Sequence, residues 1–143
     1  MARADRTEVY EVPIEKFYQA IVDYKKYPDF VDGMKSVNVE KETQDGATVK
    51  FGINIIKEIS YTINLKHVPN KEVSWTLVTG DMMKVNNGKW TLKDLGGGKT
   101  EVNYNLEIEF KGFLPGLGMI EKTLVNTNLP LTMRSFSKRA QEL

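Results

Sequence analysis

One imidazole and no thiol limit what this chain can catalyse: His67 is its only histidine and it has no cysteine. Disulfides, thiolate metal sites, iron–sulfur clusters and cysteine nucleophiles are excluded. Any histidine-based triad or metal site would have to pass through His67. That residue ends an apolar strand face. As a general base it would need a carboxylate partner and a substrate, and the spacing supplies neither, so a core or rim position is the better reading. Gly98-Lys99-Thr100 has the form of the end of a phosphate-binding loop, but the fingerprint needs a glycine where Lys93 stands and a helix where a strand follows. Glu101, Glu107 and Glu109 share one strand face with Asn103 and Asn105. Paired carboxylates can do acid/base work, yet this face reads as a solvated one.

The aromatic residues carry more. Phe51, Tyr61, Trp75, Trp90 and Tyr104 all fall on sheet strands. Each alone reads as core packing. Together they make an apolar face broader than one helix covers, so some of them are expected to line a cavity, where Trp90 and Tyr61 can donate hydrogen bonds to a ligand. Met82 and Met83 suit an adaptable wall or a filled gap equally. The run 113–120, Phe-Leu-Pro-Gly-Leu-Gly-Met-Ile, is apolar in a Gly- and Pro-broken loop. It reads as a mobile lip, as a segment dipping into a membrane surface, or as a loop packing Phe113 and Leu117 on the core.

These residues need a scaffold, and its pattern is readable. Residues 4–11 alternate as a half-exposed strand. Pro13 opens a helix in which Ile14, Phe17, Ile21 and Tyr24 recur at helical spacing, to about Asp23. Pro28 limits 27–34 to a short second helix ending at Gly33. A meander follows. Strands are expected at 36–43, 47–57, 59–68, 72–79, 83–94 and 101–110, with turns at Asp45-Gly46, Pro69-Asn70-Lys71 and Gly96-Gly97-Gly98. Asn86-Asn87-Gly88 predicts a turn or bulge within the fifth of these. In the last, Val102, Tyr104, Leu106, Ile108 and Phe110 alternate strictly with polar residues, which makes the sheet one-sided and antiparallel. A long helix is predicted from Met119 to Glu142, kinked near 126–129 by Pro130, with Ile120, Leu124, Leu131 and Phe136 on its apolar face.

The chain has 143 residues with 20 Lys+Arg against 19 Asp+Glu, one domain's worth at ordinary composition. The near-neutral balance gives no general reason to bind nucleic acid or anionic membrane. The basic groups at Lys25, Lys26 and Lys35, and at Arg134, Lys138 and Arg139, are interrupted by acidic residues and lack an aromatic ladder. Sequence-specific nucleic-acid reading is therefore not expected; a weak electrostatic contact with a ribosome or membrane stays open. The opening MARADRTEVYEVP has no apolar h-region and no run reaches the length of a spanning helix, so a cytoplasmic location is expected.

Two segments go further. Phe17–Phe30 (FYQAIVDYKKYPDF) resembles the "F…V.D…YP.F" stretch, and Gly88-Lys-Trp-Thr-Leu with Gly98-Lys-Thr-Glu-Val resembles the "G.W.L…..G.T.V" hairpin, of bacterial polyketide cyclase/dehydrase-like proteins. By these motifs the whole chain resembles the START-like (SRPBCC) superfamily. The "FLPWC" continuation of the ubiquinone-binding and ribosome-association members is absent, since Phe30 leads into Val31-Asp32-Gly33-Met34.

The resemblance implies an α+β helix-grip fold. A curved antiparallel sheet of six to seven strands wraps a long C-terminal helix, with two short helices after the first strand, as a single domain over 1–143. It also implies a deep apolar cavity for a hydrophobic small molecule such as a lipid, isoprenoid, quinone or polyketide. The expected ligand-binding residues are Tyr24, Tyr27, Phe30, Phe51, Tyr61, His67, Trp75, Met83, Trp90, Tyr104, Phe113, Leu117, Ile120, Leu124, Asn128 and Arg134. Tyr61, His67, Trp90, Asn128 and Arg134 would be the polar tips that orient the ligand. No metal or cofactor is expected, and monomer and dimer are both compatible with the sequence. A cyclase or aromatase using His67, Tyr61 or Arg134 for proton handling is the alternative, and a ribosome- or membrane-partner module is the third reading.

Overall fold

The computed structural model describes residues 2–54, 58–112 and 116–143. Strand β1 (Ala2–Tyr10) leads to helix α1 (Ile14–Val22), a 3-10 turn (Tyr24–Lys26) and the short helix α2 (Tyr27–Phe30). Strands β2 (Met34–Thr43), β3 (Gly46–Asn54), β4 (Glu58–Val68), β5 (Glu72–Gly80), β6 (Met83–Gly96) and β7 (Lys99–Phe110) follow, then helices α3 (Leu117–Asn126) and α4 (Asn128–Gln141). The seven strands form one antiparallel sheet in the order β1-β7-β6-β5-β4-β3-β2. This is the helix-grip arrangement expected from the sequence.

Local chemistry explains the boundaries. The Pro13 carbonyl accepts the Lys16 and Phe17 N–H groups at 3.1 Å, and α1 buries Ile14, Phe17, Ala20 and Ile21 at helical spacing. Behind it, the fully buried Thr100 hydroxyl donates to the Val12 carbonyl at 2.7 Å and ties the helix entrance to β7. At the other end Pro130 has no N–H to give the Asn126 carbonyl, so the long helix breaks at Thr127 into α3 and α4. The α3 segment packs on β1 and β7, where buried Glu121 accepts the Phe110 N–H at 2.9 Å. The α4 segment packs on α1 and α2.

Two expectations are corrected. Asn86-Asn87-Gly88 is neither turn nor bulge: β6 runs through it in continuous register with Ile108, Glu107 and Leu106 of β7, and its register shifts lie at Met83/Val85 and Asp94/Gly96. Turn chemistry loses here to cross-strand pairing. Leu131 is 51% exposed, because after the break at Thr127 α4 buries Leu129, Met133, Phe136 and Ala140 instead. Glu107 meets Arg3 at 3.0 Å on the outer face, in keeping with a solvated carboxylate row.

Candidate functional site

Curvature leaves space between the sheet and the helices. The β5 and β6 strands pair only from Glu72–Thr91 to Trp75–Gly88. Beyond that point Asn86 and Met83 of β6 stand beside a cavity of about 200 Å³. Its deep walls include Trp75, Trp90, Tyr61 and Tyr104 from the sheet, and Leu124 and Phe136 from α3 and α4. Val31, Asp32 and Met34, with Asn128 at the helix break, complete the lining.

The aromatic wall is continuous. Trp90 and Tyr104 lie 4.2 Å apart between centroids, Trp75 and Tyr104 5.7 Å, Phe51 and Tyr61 5.6 Å, and Tyr27 and Phe51 5.6 Å. Phe136 meets Trp90 edge-on at 5.0 Å. Stacked, tilted and edge contacts of this kind let π-faces and edges satisfy one another.

Few polar atoms interrupt it. The Trp75 indole N–H donates to Asn86 Oδ1 at 3.0 Å, and the Asn86 amide nitrogen donates to the Met83 sulfur at 3.5 Å. Burial pushes the Tyr61 phenol well above the ordinary tyrosine range, and nearby Asn86 opposes this in part. Burial raises Tyr104 likewise, with the nearby Tyr61 adding to it. Burial also raises Tyr27, whose hydroxyl donates to the Ile21 carbonyl. All three phenols are therefore neutral donors at neutral pH.

Of the residues expected from the sequence, Tyr24, Tyr27, Phe51, Tyr61, Trp75, Met83, Trp90, Tyr104, Leu124 and Asn128 lie in the cavity wall. Five lie elsewhere. His67 faces inward but sits behind Tyr24, whose hydroxyl is 2.6 Å from its Nε2. Burial lowers the His67 pKa, against the opposing pull of the Gln44 backbone, Glu42 and Asp45. Phe30 packs edge-on against Phe136 at 5.0 Å, outside the wall. Leu117 and Ile120 pack in a second apolar cluster around Met83, Ile108 and Val125. Arg134 is exposed on α4, toward Tyr10. Phe113, and the end of the strand expected at 47–57, lie outside the described residues. Sequence reasoning missed Asn86, Thr132, Met34 and Asp32. For Asn86 the signal was present: counting back in twos from Trp90 reaches it on the inward face.

Residues 10–133 match the family model described as polyketide cyclase / dehydrase and lipid transport. Among solved structures, the chain is similar to the Zhui aromatase/cyclase from Streptomyces sp. R1128, with a TM-score of 0.85 at 14% identity, covering 99% of this chain and 94% of that one. It is also similar to a START superfamily protein from Mycobacterium smegmatis, with a TM-score of 0.82 at 16% identity over 98% and 97% of the two chains. A protein from Thermus thermophilus gives a TM-score of 0.85 at 14% identity, over 99% and 98%. At these identities the likeness is one of fold. No curated protein matches the chain.

Proposed function

The chain belongs to the polyketide cyclase / dehydrase and lipid transport family, and we propose that it binds and sequesters a compact apolar small molecule between its sheet and its C-terminal helices. The observation that carries this reading is the aromatic-walled cavity of about 200 Å³. A dry apolar cavity of about 150 Å³ is enough to hold benzene, whereas ligand pockets for larger molecules run from roughly 300 Å³ upward. The space therefore suits a ligand of one or two rings better than a full-length acyl chain. Exposed Asp32 and Asn128, with half-buried Thr132, mark the mouth, Asn128 at the break between α3 and α4. Release would proceed by movement of α3 about Thr127.

A cyclase is the second reading. It is favoured by the phenols of Tyr61 and Tyr104, which can polarise a carbonyl in a water-poor wall. Among the described lining residues no base is placed inside: the carboxylate there is exposed Asp32 at the mouth, and His67 is held behind Tyr24. Binding without chemistry is thus the better-supported role.

The test is titration with the neutral two-ring fluorophore 1-aminonaphthalene. Saturable one-to-one binding is expected, and a folded Leu106→Trp variant, which fills the cavity from β7, should abolish it. Non-saturable binding, or binding untouched by that substitution, would contradict the proposal.

A further inference from the structure

Among the described residues, the cavity wall offers hydrogen-bond protons and no countercharge for an anion. An indole N–H can only donate, so Trp75 fixes Asn86 with its carbonyl oxygen toward the ring, at 3.0 Å. The amide nitrogen is thereby turned the other way, toward the Met83 sulfur at 3.5 Å. Tyr61 lines the cavity and its hydroxyl donates to no partner among the described residues, so its proton remains to be given. Tyr104 is alike. Its hydroxyl has no hydrogen-bond partner among the described residues, and no fully buried side-chain polar atom lacks one. Its oxygen therefore keeps open surface, and the residue lines the cavity.

The charges point the same way. No Lys, Arg or His is among the described lining residues, whose one formal charge is exposed Asp32. A carboxylate entering would lose its hydration, pass another carboxylate and meet no cation among them. A neutral oxygen loses far less and finds two waiting donors.

We propose, resting on the sequestration reading above, that the cavity selects a neutral one- or two-ring ligand carrying an ether, carbonyl or phenol oxygen, which accepts hydrogen bonds from Tyr61 and Tyr104, and that it rejects carboxylates.

The experiment displaces 1-aminonaphthalene with three probes of nearly equal size: naphthalene, 2-methoxynaphthalene and 2-naphthoate. The methoxy compound is expected to bind about fivefold tighter than naphthalene, the worth of one net hydrogen bond. Naphthoate should bind at least about tenfold more weakly than the methoxy compound. In Tyr61→Phe/Tyr104→Phe the methoxy preference should vanish while naphthalene affinity stays within about twofold, since only hydroxyls are lost. Equal affinity of the wild-type protein for naphthalene and 2-methoxynaphthalene, or tightest binding of naphthoate, would overturn the inference and leave sequestration standing. These comparisons need no variant. Failure of the dye and all three probes to bind would overturn both.

Discussion

Gly88 holds the cavity open by having no side chain. It pairs with Trp75 on one side and Leu106 on the other. A Cβ at this position would collide with Trp75 Cζ2, and would lie 2.7 Å from Trp75 Cε2 and 2.6 Å from the Asn105 carbonyl oxygen. Carbon atoms pack best at about 3.5–4.0 Å, so Gly88→Ala must push the indole by about an ångström. The free space for it is the cavity, and the move pulls the indole N–H off Asn86, now 3.0 Å away. Overpacking of this kind costs about 1–3 kcal/mol, and stranding a buried amide oxygen adds about 1 kcal/mol. The expected loss is therefore about 2–4 kcal/mol, which for a chain of this size lowers Tm by roughly 6–15 °C. Calorimetry gives that number directly. Tryptophan emission reports the indole, and dye titration should show weakened binding as the ring invades the cavity. Adding Trp75→Phe should recover part of the loss, because the smaller ring relieves the clash. A Gly88→Ala protein with wild-type Tm, emission and dye affinity would refute the packing argument.

Three further outcomes follow from single contacts. In the β4–β5 turn Pro69 precedes Asn70, which sits at φ 61° while the Lys71 N–H bonds the Val68 carbonyl at 2.9 Å. Asn70→Ala should cost about 1 kcal/mol by chemical denaturation and Asn70→Gly almost nothing, because the left-handed region penalises a plain Cβ. Thr100→Val leaves the Val12 carbonyl without its 2.7 Å donor, so a loss of about 1–2 kcal/mol is expected in the same assay. Burial lowers the pKa of His67, so the unfolded chain binds this proton more readily than the folded one. Stability should be full above the ordinary histidine value of about 6.5 and fall as pH drops below it. His67→Gln should flatten that part of a Tm-against-pH profile, and an unchanged slope would remove His67 as its source.

Much of this was legible in the sequence because strand alternation is a hard constraint. Tyr104, Leu106 and Ile108 read inward from their spacing alone, and all three line the cavity. Asp45-Gly46 and Pro130 likewise announced a hairpin and a broken helix. Alternation tells which face a residue takes, but not what stands in front of it. His67 is on the correct face of β4, yet Tyr24, from a 3-10 turn 43 residues earlier, fills the space before it. Helical spacing failed for a related reason. The break at Thr127 resets the rotation of α4, so Thr132 and Phe136 line the cavity while Leu131 and Arg134 do not. Asn86 was obscured by its own local chemistry: Asn-Asn-Gly favours a turn, and only the register with β7 overrides it.

The most direct test of sequestration is an amide and side-chain NMR titration of the isotopically labelled protein with 2-methoxynaphthalene. Saturable shifts confined to the inner face, centred on Tyr61, Tyr104, Leu106 and Leu124, are the predicted result. Shifts confined to the outer sheet face or to exposed residues, or none at all, would contradict it.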